Sequence, residues 1–575
     1  MKGRKVFKTL VDPGLAVESL LSITGETLFR RLMEDTAIVR IEDSLGRLLA
    51  SNVYSPIDLP YYPRSLVDGC AVRSIDTKHA DESHPVSLIY SGLVHVGEKP
   101  SISVKPGSCV EVDTGAWIPL GADAVVPIEY VEIENGRAIL TRSGGVWMNI
   151  ALPSTDIGKG DLVASKGTLV TPQVASSIAS VGIGEVRVTR RIRVSVGSTG
   201  DELVEPGSKL EEGKIFNSNR SYLITRLKEL GADVLDHGII RDDLEQITEA
   251  LSKASDKSDI IVFTGGTSAG PEDVLYKAVE KIGKILFHGL KIKPGKPTII
   301  GVINDKPFFG LPGNPRSAVN VFEKIVEKFL RELGLTLEPS CSSKELTLPV
   351  TIYGTRGRTT YIPVAIDGEY AWPVARDSYM IASYAWSDGL IEIPSNAYAP
   401  LTKGTKVRVA IKRKPVTTIY ALTDVAEWDE YSSLIEDNIG TFQYRILSLS
   451  KDQLDTDLIG HMNYIIAPRD VMGEEFSSRK IVYLGSRSLV KLEKTGKCNY
   501  SGIRAGYGFL EKHVGGTLLY HPRFQGLSSL FKKGYLDCTI LPSDFIDQDQ
   551  ELQKYAIEKV GNEELVLFLP EKNSP

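Results

Sequence analysis

DIIVFTGGTSAGPED, running from Asp259 to Asp273, joins an apolar strand to a glycine-rich loop and a pair of acids. Ile260 to Phe263 suit a strand buried on both faces of a parallel sheet, and Thr264 ends it. Gly265, Gly266, Thr267, Ser268, Ala269, Gly270 and Pro271 follow, with glycines free to take positive φ so that backbone N–H groups can approach an anion. Glu272 and Asp273 place carboxylates beside that cradle, a combination that suits a phosphate-bearing ligand held with a divalent cation. Taken alone, the same letters also describe an ordinary strand-to-helix turn.

The flanking sequence repeats the design. RIRVSVGSTGDEL (Arg191 to Leu203) is another apolar strand entering a small polar loop, Ser198 to Glu202. Asn217, Ser218, Asn219 and Arg220 precede a helical pattern from Tyr222 to Leu230 that closes at Gly231. Ala232 to Leu235 reads as the next strand, and GIIRDD (Gly238 to Asp243) leads into a helix from Leu244 to Ala254. This rhythm predicts a doubly wound α/β domain whose ligand site lies at the carboxyl ends of the strands, with both glycine-rich loops facing one crevice. KIKPGKP (Lys291 to Pro297) and GLPGNPRSA (Gly310 to Ala318) add two stiff Pro/Gly loops, the first presenting Lys293 and Lys296 as point charges for an oxyanion.

In this order and spacing, STGDEL, NSNR, GIIRDD, TGGTSAGPED, IKPGKP and GLPGNPRSA resemble the MoeA/gephyrin family of molybdopterin molybdenumtransferases, and the likeness extends over residues 10 to 412. The resemblance implies molybdenum cofactor biosynthesis: insertion of molybdate, or tungstate, into adenylylated molybdopterin with release of AMP, dependent on Mg2+. It implies Glu202, Asp242 and Asp273 as metal ligands, acting with Lys293 and Lys296 in catalysis. Asp242 read by itself would equally serve, with Asp243, to start a helix. Cofactor contacts would come from Thr199, Gly200, Asp201, Asn219, Gly265, Gly266, Thr267, Ser268, Pro312, Gly313, Asn314, Pro315 and Ser317. Thr114 and Asp68 would be supplied by the other subunit of a homodimer, and a molybdopterin adenylyltransferase is a further implied partner.

Composition sets outer bounds. With 575 residues, 42% hydrophobic and 24% charged, the chain has room for several domains, and a net charge of −6 argues against nucleic acid as its main partner. Cys70, Cys109, Cys341, Cys498 and Cys538 are scattered without CxxC spacing, which indicates neither a zinc site nor a disulfide framework. No apolar run approaches the roughly 20 residues needed to span a bilayer, so a cytoplasmic location is expected, with no membrane partner.

The expected architecture is multidomain α/β. Residues 1–55 and 150–188 form an elongated N-terminal linker and dimerisation lobe, with helices from Leu15 to Leu32 and Ile41 to Leu49; 56–149 form a β-rich insert. Residues 189–336 form a molybdopterin-binding domain of the MogA type, 337–413 a small β-barrel domain, and 416–575 an α/β domain like a periplasmic binding protein. In the insert, LPYYPRSLVDGCAVR (Leu59 to Arg73) resembles the family segment FDNSAMDGYAV but has Pro63 and Arg64 where Asp and Asn are usual. Proline offers no side-chain acceptor or ligand, so one family acid is missing. EVDTGAWIPLGADAVVPIE (Glu111 to Glu129) matches closely, with Glu129 a second candidate contact. NIALPSTDIGKGD (Asn149 to Asp161) keeps Asn149, Asp156 and Ile157 but lacks the paired arginines that would grip phosphate in two-pronged fashion.

In the barrel, Arg356 and Arg358 of GTRGRTTY either reach a phosphate or stand as solvated surface charge. In the last domain, CNYSGIRAGYGFLEK (Cys498 to Lys512) reads as a polar turn before a helix, resembling the ligand loop of molybdate-binding modules, with Ser501, Gly502 and Arg504 as contacts. GLSSLFKKGYLDCTILPSD (Gly526 to Asp544) resembles the closing helix and strand of such modules. Two other functions remain open from sequence: a molybdopterin adenylyltransferase, and a non-catalytic carrier or sensor of molybdopterin or oxyanion.

Overall fold

A computed structural model describes the chain from residue 10 to 569, apart from 268–272, 337–341, 375–376, 398, 423–434, 440–442, 449–461, 463, 469–479, 494–497, 499, 505–513, 515–516, 522–523, 534 and 537. At its centre lies a six-stranded sheet in the order Asp233–Ile240, Arg193–Thr199, Ile260–Thr264, Lys306–Leu311, Ile299–Ile303 and Lys284–His288. The first four strands are parallel, and Ile299–Ile303 runs against both its neighbours. Side chains alternate between two cores. Val194, Val196, Ile260, Val262, Phe309 and Leu311 face one apolar cluster, and Ile261, Phe263 and Phe308 face another. Helices Ser218–Glu229 and Pro315–Val321 cover the first face, Leu244–Lys257 and Val274–Ile282 the second, which is the doubly wound arrangement expected.

The helix Pro13–Glu34 starts where the Asp12 carboxylate accepts the Gly14 N–H at 2.8 Å. Its apolar stripe, Ala16, Leu20, Leu28 and Leu32, belongs to the first of those cores, so it packs on the α/β domain. The rest of the expected N-terminal lobe is held by long-range pairing: Thr36–Arg40 lies antiparallel to Glu185–Thr189, and Val53–Tyr54 to Leu162–Ala164. No helix forms over 41 to 49. A single 3-10 turn, Ile41–Asp43, ends at Ser44, after which Gly46 takes φ 72° and Gly46 and Leu49 donate to the carbonyls of Val170 and Thr168. Cross-chain hydrogen bonds claim the backbone that a helix would have used.

The insert is a six-stranded sheet running from Ala124–Pro127 through Gly69–Val72, Ser108–Val112, Val86–Val94 and Arg137–Leu140 to Val131–Glu134. Thr359–Asp367, Tyr370–Pro373, Ser343–Thr347, Lys406–Ile411 and Gly389–Ile393 close into a ring because the first strand also pairs with the last. The strand Ser343–Thr347 stops ahead of Pro349. Ile292–Lys293, from the lysine-bearing loop of the α/β domain, adds to this ring beside Thr359 and Thr360.

Beyond Pro415 an eight-stranded sheet has the order Tyr444–Ser448, Thr417–Ala421, Tyr464–Pro468, Ala556–Leu569, Lys480–Glu493, Cys538–Pro542, Tyr500–Arg504 and Thr517–His521. Three parallel strands stand at each end, and two antiparallel strands of 14 residues link them. Ser501, Gly502 and Arg504 are therefore strand residues, not a turn before a helix: parallel pairing with Leu518, Leu519 and His521 draws them into the ladder. The expected helix and strand within 526–544 are present as Phe524–Lys532 and Cys538–Pro542. Cys498 and Cys538 are joined in a disulfide, against the sequence expectation; they are 40 residues apart and meet because Ser501 pairs with Cys538. Cys341 lies outside the described residues.

Candidate functional site

The carboxyl ends of three adjacent strands meet backbone to backbone. Gly265, at φ 127°, leaves no room for a side chain: a Cβ there would lie 2.2 Å from the Thr199 carbonyl oxygen, and Gly313 approaches Gly265 Cα from the other side. Thr264 Oγ1 donates to the Pro312 carbonyl at 3.2 Å. Asn219 sits in the first turn of its helix, which begins where Asn217 Oδ1 accepts the Arg220 N–H. Its Nδ2 bridges Thr264 Oγ1 at 3.0 Å and the Gly313 carbonyl at 2.8 Å. STGD, NSNR, TGGT and LPGNP are thus gathered by these contacts.

Acidic groups collect along this edge. Asp201 Oδ1 accepts the Asp242 N–H at 3.4 Å, and Glu202 folds back over Gly200, where a Cβ would meet its carboxylate at 2.6 Å. Partial burial, reinforced by the charges of Glu202 and Asp201, pushes the Asp242 carboxyl above its ordinary value. Asp273 is 9% exposed, and its carboxyl is pushed up from 3.8 to about 7, first by burial and then by Asp242, against the lowering effect of its bond from Tyr276 N–H. Asp273 Oδ1 caps the helix Val274–Ile282 through that bond at 3.0 Å. Its Oδ2 is buried with no hydrogen-bond partner among the described residues, as are Thr199 Oγ1 and Asn219 Oδ1. Buried polar atoms are seldom left unpaired, so three at one sheet edge mark a place shaped for a polar ligand.

Asp242 therefore stands electrostatically between Glu202 and Asp273, but the three expected metal ligands do not form a closed cage. Among the described residues the one group of three potential ligand atoms mutually within 4.8 Å is Glu493, Cys498 and Cys538, where the two cysteines are already bonded. An open arrangement suits Mg2+, which binds one or two carboxylates and takes its other oxygens from water and substrate phosphate. A cation there would satisfy Asp273 Oδ2 and remove the mutual repulsion of Asp242 and Asp273.

A cavity of about 1160 Å3 opens beside this edge, between the α/β domain and the barrel. Of the residues singled out from the sequence, Glu202, Gly265, Gly266, Thr267, Lys293, Lys296, Pro312, Gly313, Asn314, Pro315 and Ser317 line it, whereas Thr199, Gly200, Asp201, Asn219, Asp242 and Asp273 do not. Ser268 and Glu272 lie outside the described residues. The lysine loop lines the seam because Lys293 pairs with Thr360 of the barrel. Of the two arginines left open, Arg358 lines the cavity.

Asp68 and Thr114 do not line it. They bind each other, Thr114 giving both its N–H (2.6 Å) and its hydroxyl (2.8 Å) to Asp68 Oδ1, which holds that carboxyl below its usual value. Pro63 and Arg64 have local structural employment: Ile118 N–H donates to the Pro63 carbonyl at 2.9 Å and Arg64 pairs with Ala151.

The reading from sequence missed the far wall. Tyr353, Tyr361 and Tyr379 come from the barrel side; Tyr361 closes the stretch GTRGRTTY, in which only the arginines drew notice, and the other two stand in no quoted motif. Arg316 had a signal, an arginine just inside a helix begun by Pro315. It is 3% exposed and donates to the Tyr361 carbonyl; burial pushes its guanidinium down to about 10, so it remains a cation at neutral pH.

Three family profiles match consecutive stretches: the MoeA N-terminal region (domain I and II) at residues 15–182, a probable molybdopterin binding domain at 195–332, and the MoeA C-terminal region (domain IV) at 345–412. A putative molybdopterin biosynthesis protein of Methanocaldococcus jannaschii is 32% identical over 400 residues, 67% of this chain and 96% of that protein. The molybdopterin molybdenumtransferase of Bacillus subtilis is 33% identical over 390 residues, 66% of this chain and 90% of that one. A solved molybdopterin biosynthesis moeA protein from Pyrococcus horikoshii superposes with TM-score 0.59 at 28% identity, covering 70% of this chain and all of its own.

Proposed function

The chain belongs to the MoeA family of molybdopterin molybdenumtransferases, and from that premise we propose that it transfers molybdate to adenylylated molybdopterin and releases AMP. Its place is in molybdenum cofactor biosynthesis, as a transferase. The observation that carries the finer reading is the buried Oδ2 of Asp273, unpartnered among the described residues and under the charge of Asp242.

Each wall has a task in this chemistry. The backbone at Gly265, Gly266 and Thr267 holds the pterin or its phosphate, with Pro312 to Pro315 shaping the facing side. Lys293, Lys296 and Arg316 neutralise the diphosphate and the incoming oxyanion. Glu202, Asp242 and Asp273 would hold Mg2+, which when bound lowers the charge barrier to opening the phosphoanhydride. Asp68 and Thr114, being away from this cavity, serve the cavity of a second subunit, so the active form is a homodimer.

The unit beyond Pro415 is read as a ligand-binding module of the periplasmic-binding-protein type. Its support is the repeated order of second, first and third parallel strand in each half, joined through two long strands that could act as a hinge.

The test is AMP release from adenylylated molybdopterin with Mg2+ and molybdate or tungstate, against a parallel reaction with ATP and free molybdopterin. We expect turnover in the first only, and none in Asp273→Ala. Tight binding of molybdopterin without AMP release would instead make the chain a carrier, and adenylylation of free molybdopterin an adenylyltransferase.

A further inference from the structure

Thr267 and Asp273 are each held by one of two aromatic residues, His288 and Tyr276, that play no part in the chemistry above. The Thr267 carbonyl faces His288 Nε2 at 3.3 Å. A carbonyl only accepts, so Nε2 carries the proton in that contact. Asp273 Oδ1 accepts the Tyr276 N–H, and the Tyr276 ring lies against the His288 ring with centroids 4.9 Å apart and planes 34° apart. Gly266 closes the circuit, since a Cβ on it would stand 3.6 Å from Asp273 Oδ1.

His288 is also the last residue of the strand that leads into the lysine loop. Gly289 N–H and Leu290 N–H fasten that exit to the carbonyls of Thr298 and Lys296, and Lys293 follows three residues later. Thr267 and Lys293 both line the cavity. One imidazole therefore links two stretches of the cavity lining. We propose that His288 is a positioning residue: its Nε2–H, braced by the Tyr276 ring, fixes Thr267 relative to the loop carrying Lys293, and so sets how the two cavity-lining residues meet the diphosphate.

This rests on the transferase reading, and the test separates the two. His288→Phe keeps a ring against Tyr276 and removes the N–H; His288→Gln keeps an N–H at the position of Nε2 and removes the ring. Displacing a reacting group by about 1 Å can cost about 100-fold in rate. We expect kcat/KM for AMP release to fall between about 10-fold and 100-fold in His288→Phe, chiefly in kcat, and to return to within about 3-fold of wild type in His288→Gln. A purely packing role predicts the reverse order, with Phe the milder change, and that result overturns the proposal. Hydrogen exchange across residues 264–276 reads the clasp without any turnover: it should quicken by at least about 10-fold in His288→Phe and stay near wild type in His288→Gln. If the wild-type chain releases no AMP, the transferase reading fails while this second measurement still decides the clasp; unchanged exchange in His288→Phe overturns it.

Discussion

The α/β domain and the unit beyond Pro415 are both built from parallel strands, yet only the first announces its site in its letters. At its sheet edge three chain segments touch backbone to backbone, so that a side chain at Gly265 would collide with Thr199. Residue identity there is forced by space, and forced identity is what a short motif records. In the C-terminal unit the corresponding information is topological. Ser501 is buried in a ladder between Leu518 and Cys538, and many residues would serve there equally well. A contact made by close approach is legible, whereas one made by strand order is not.

The largest expected effect tests the forced site. Asp273→Asn keeps an oxygen to cap Tyr276 but removes the charge, and we expect AMP release to drop by at least about 100-fold, the scale of losing one electrostatic group aimed at the reacting centre. The same change should stabilise the ligand-free protein. A carboxyl raised in the fold from 3.8 to about 7 contributes nothing unfavourable while protonated; the cost of ionising it sets in as pH climbs past 3.8 and is complete above 7. Asp273→Asn should therefore melt alongside wild type at pH 4 and above it at pH 8, with Mg2+ narrowing the difference by stabilising only the wild type. A variant no more stable than wild type at pH 8 would mean that Asp273 is better solvated than its burial suggests.

The second test asks whether the C-terminal unit, given as a domain of its own from residue 416, is a separate bead. The structure says otherwise. Trp372 and Ala365 of the barrel share a core with Tyr420, Leu447 and Ile465, and Tyr420 Oη donates to Asp367 at 2.6 Å. Arg445, buried, donates to Asp388 and to the carbonyls of Ile366 and Trp386. Removing one member of a buried ion pair costs about 3–5 kcal/mol, while replacing both by apolar groups is often nearly neutral. Arg445→Met should lose stability on that scale in denaturant melts, Asp388 keeping Arg413 at 3.2 Å and the Ile366 N–H at 2.8 Å, and Arg445→Met/Asp388→Leu should recover part of it. Independent unfolding of the two parts in Arg445→Met, where wild type shows one transition, would locate the weld at this pair.

Legibility failed for physical reasons that differ from place to place. Ile41 to Leu49 has a helical spacing of apolar residues, but its N–H groups are spoken for by Val170 and Thr168, partners more than 100 residues away. Tyr353, Tyr361 and Tyr379 reach the cavity only because the barrel closes. Cys498 and Cys538 are joined by strand pairing that no spacing rule encodes. Closing a loop of this length is worth about 2–4 kcal/mol, so Cys538→Ser or a reducing agent should lower the melting of the C-terminal unit and leave AMP release unchanged. Loss of turnover on reduction would show that the two parts of the chain communicate.

The smallest effect concerns the one place where sequence left two readings in balance. Arg358 stands at the start of the strand that pairs with Ile292–Lys293, and Thr359 N–H donates to the Lys291 carbonyl at 3.0 Å, so its position is tied to the lysine loop. It lines the cavity but is half exposed, and water screens such a charge. Its contribution should be that of a guide at the rim. We expect Arg358→Ala to raise KM for adenylylated molybdopterin about 10-fold at low salt with little change in kcat, and the difference to shrink as salt shortens the reach of the charge. Arg358→Lys would keep the salt-dependent part and lose only what a planar two-pronged contact adds. If Ala and Lys are equally impaired and salt is without effect, the guanidinium grips the substrate directly, and the barrel wall belongs with the forced half of the site.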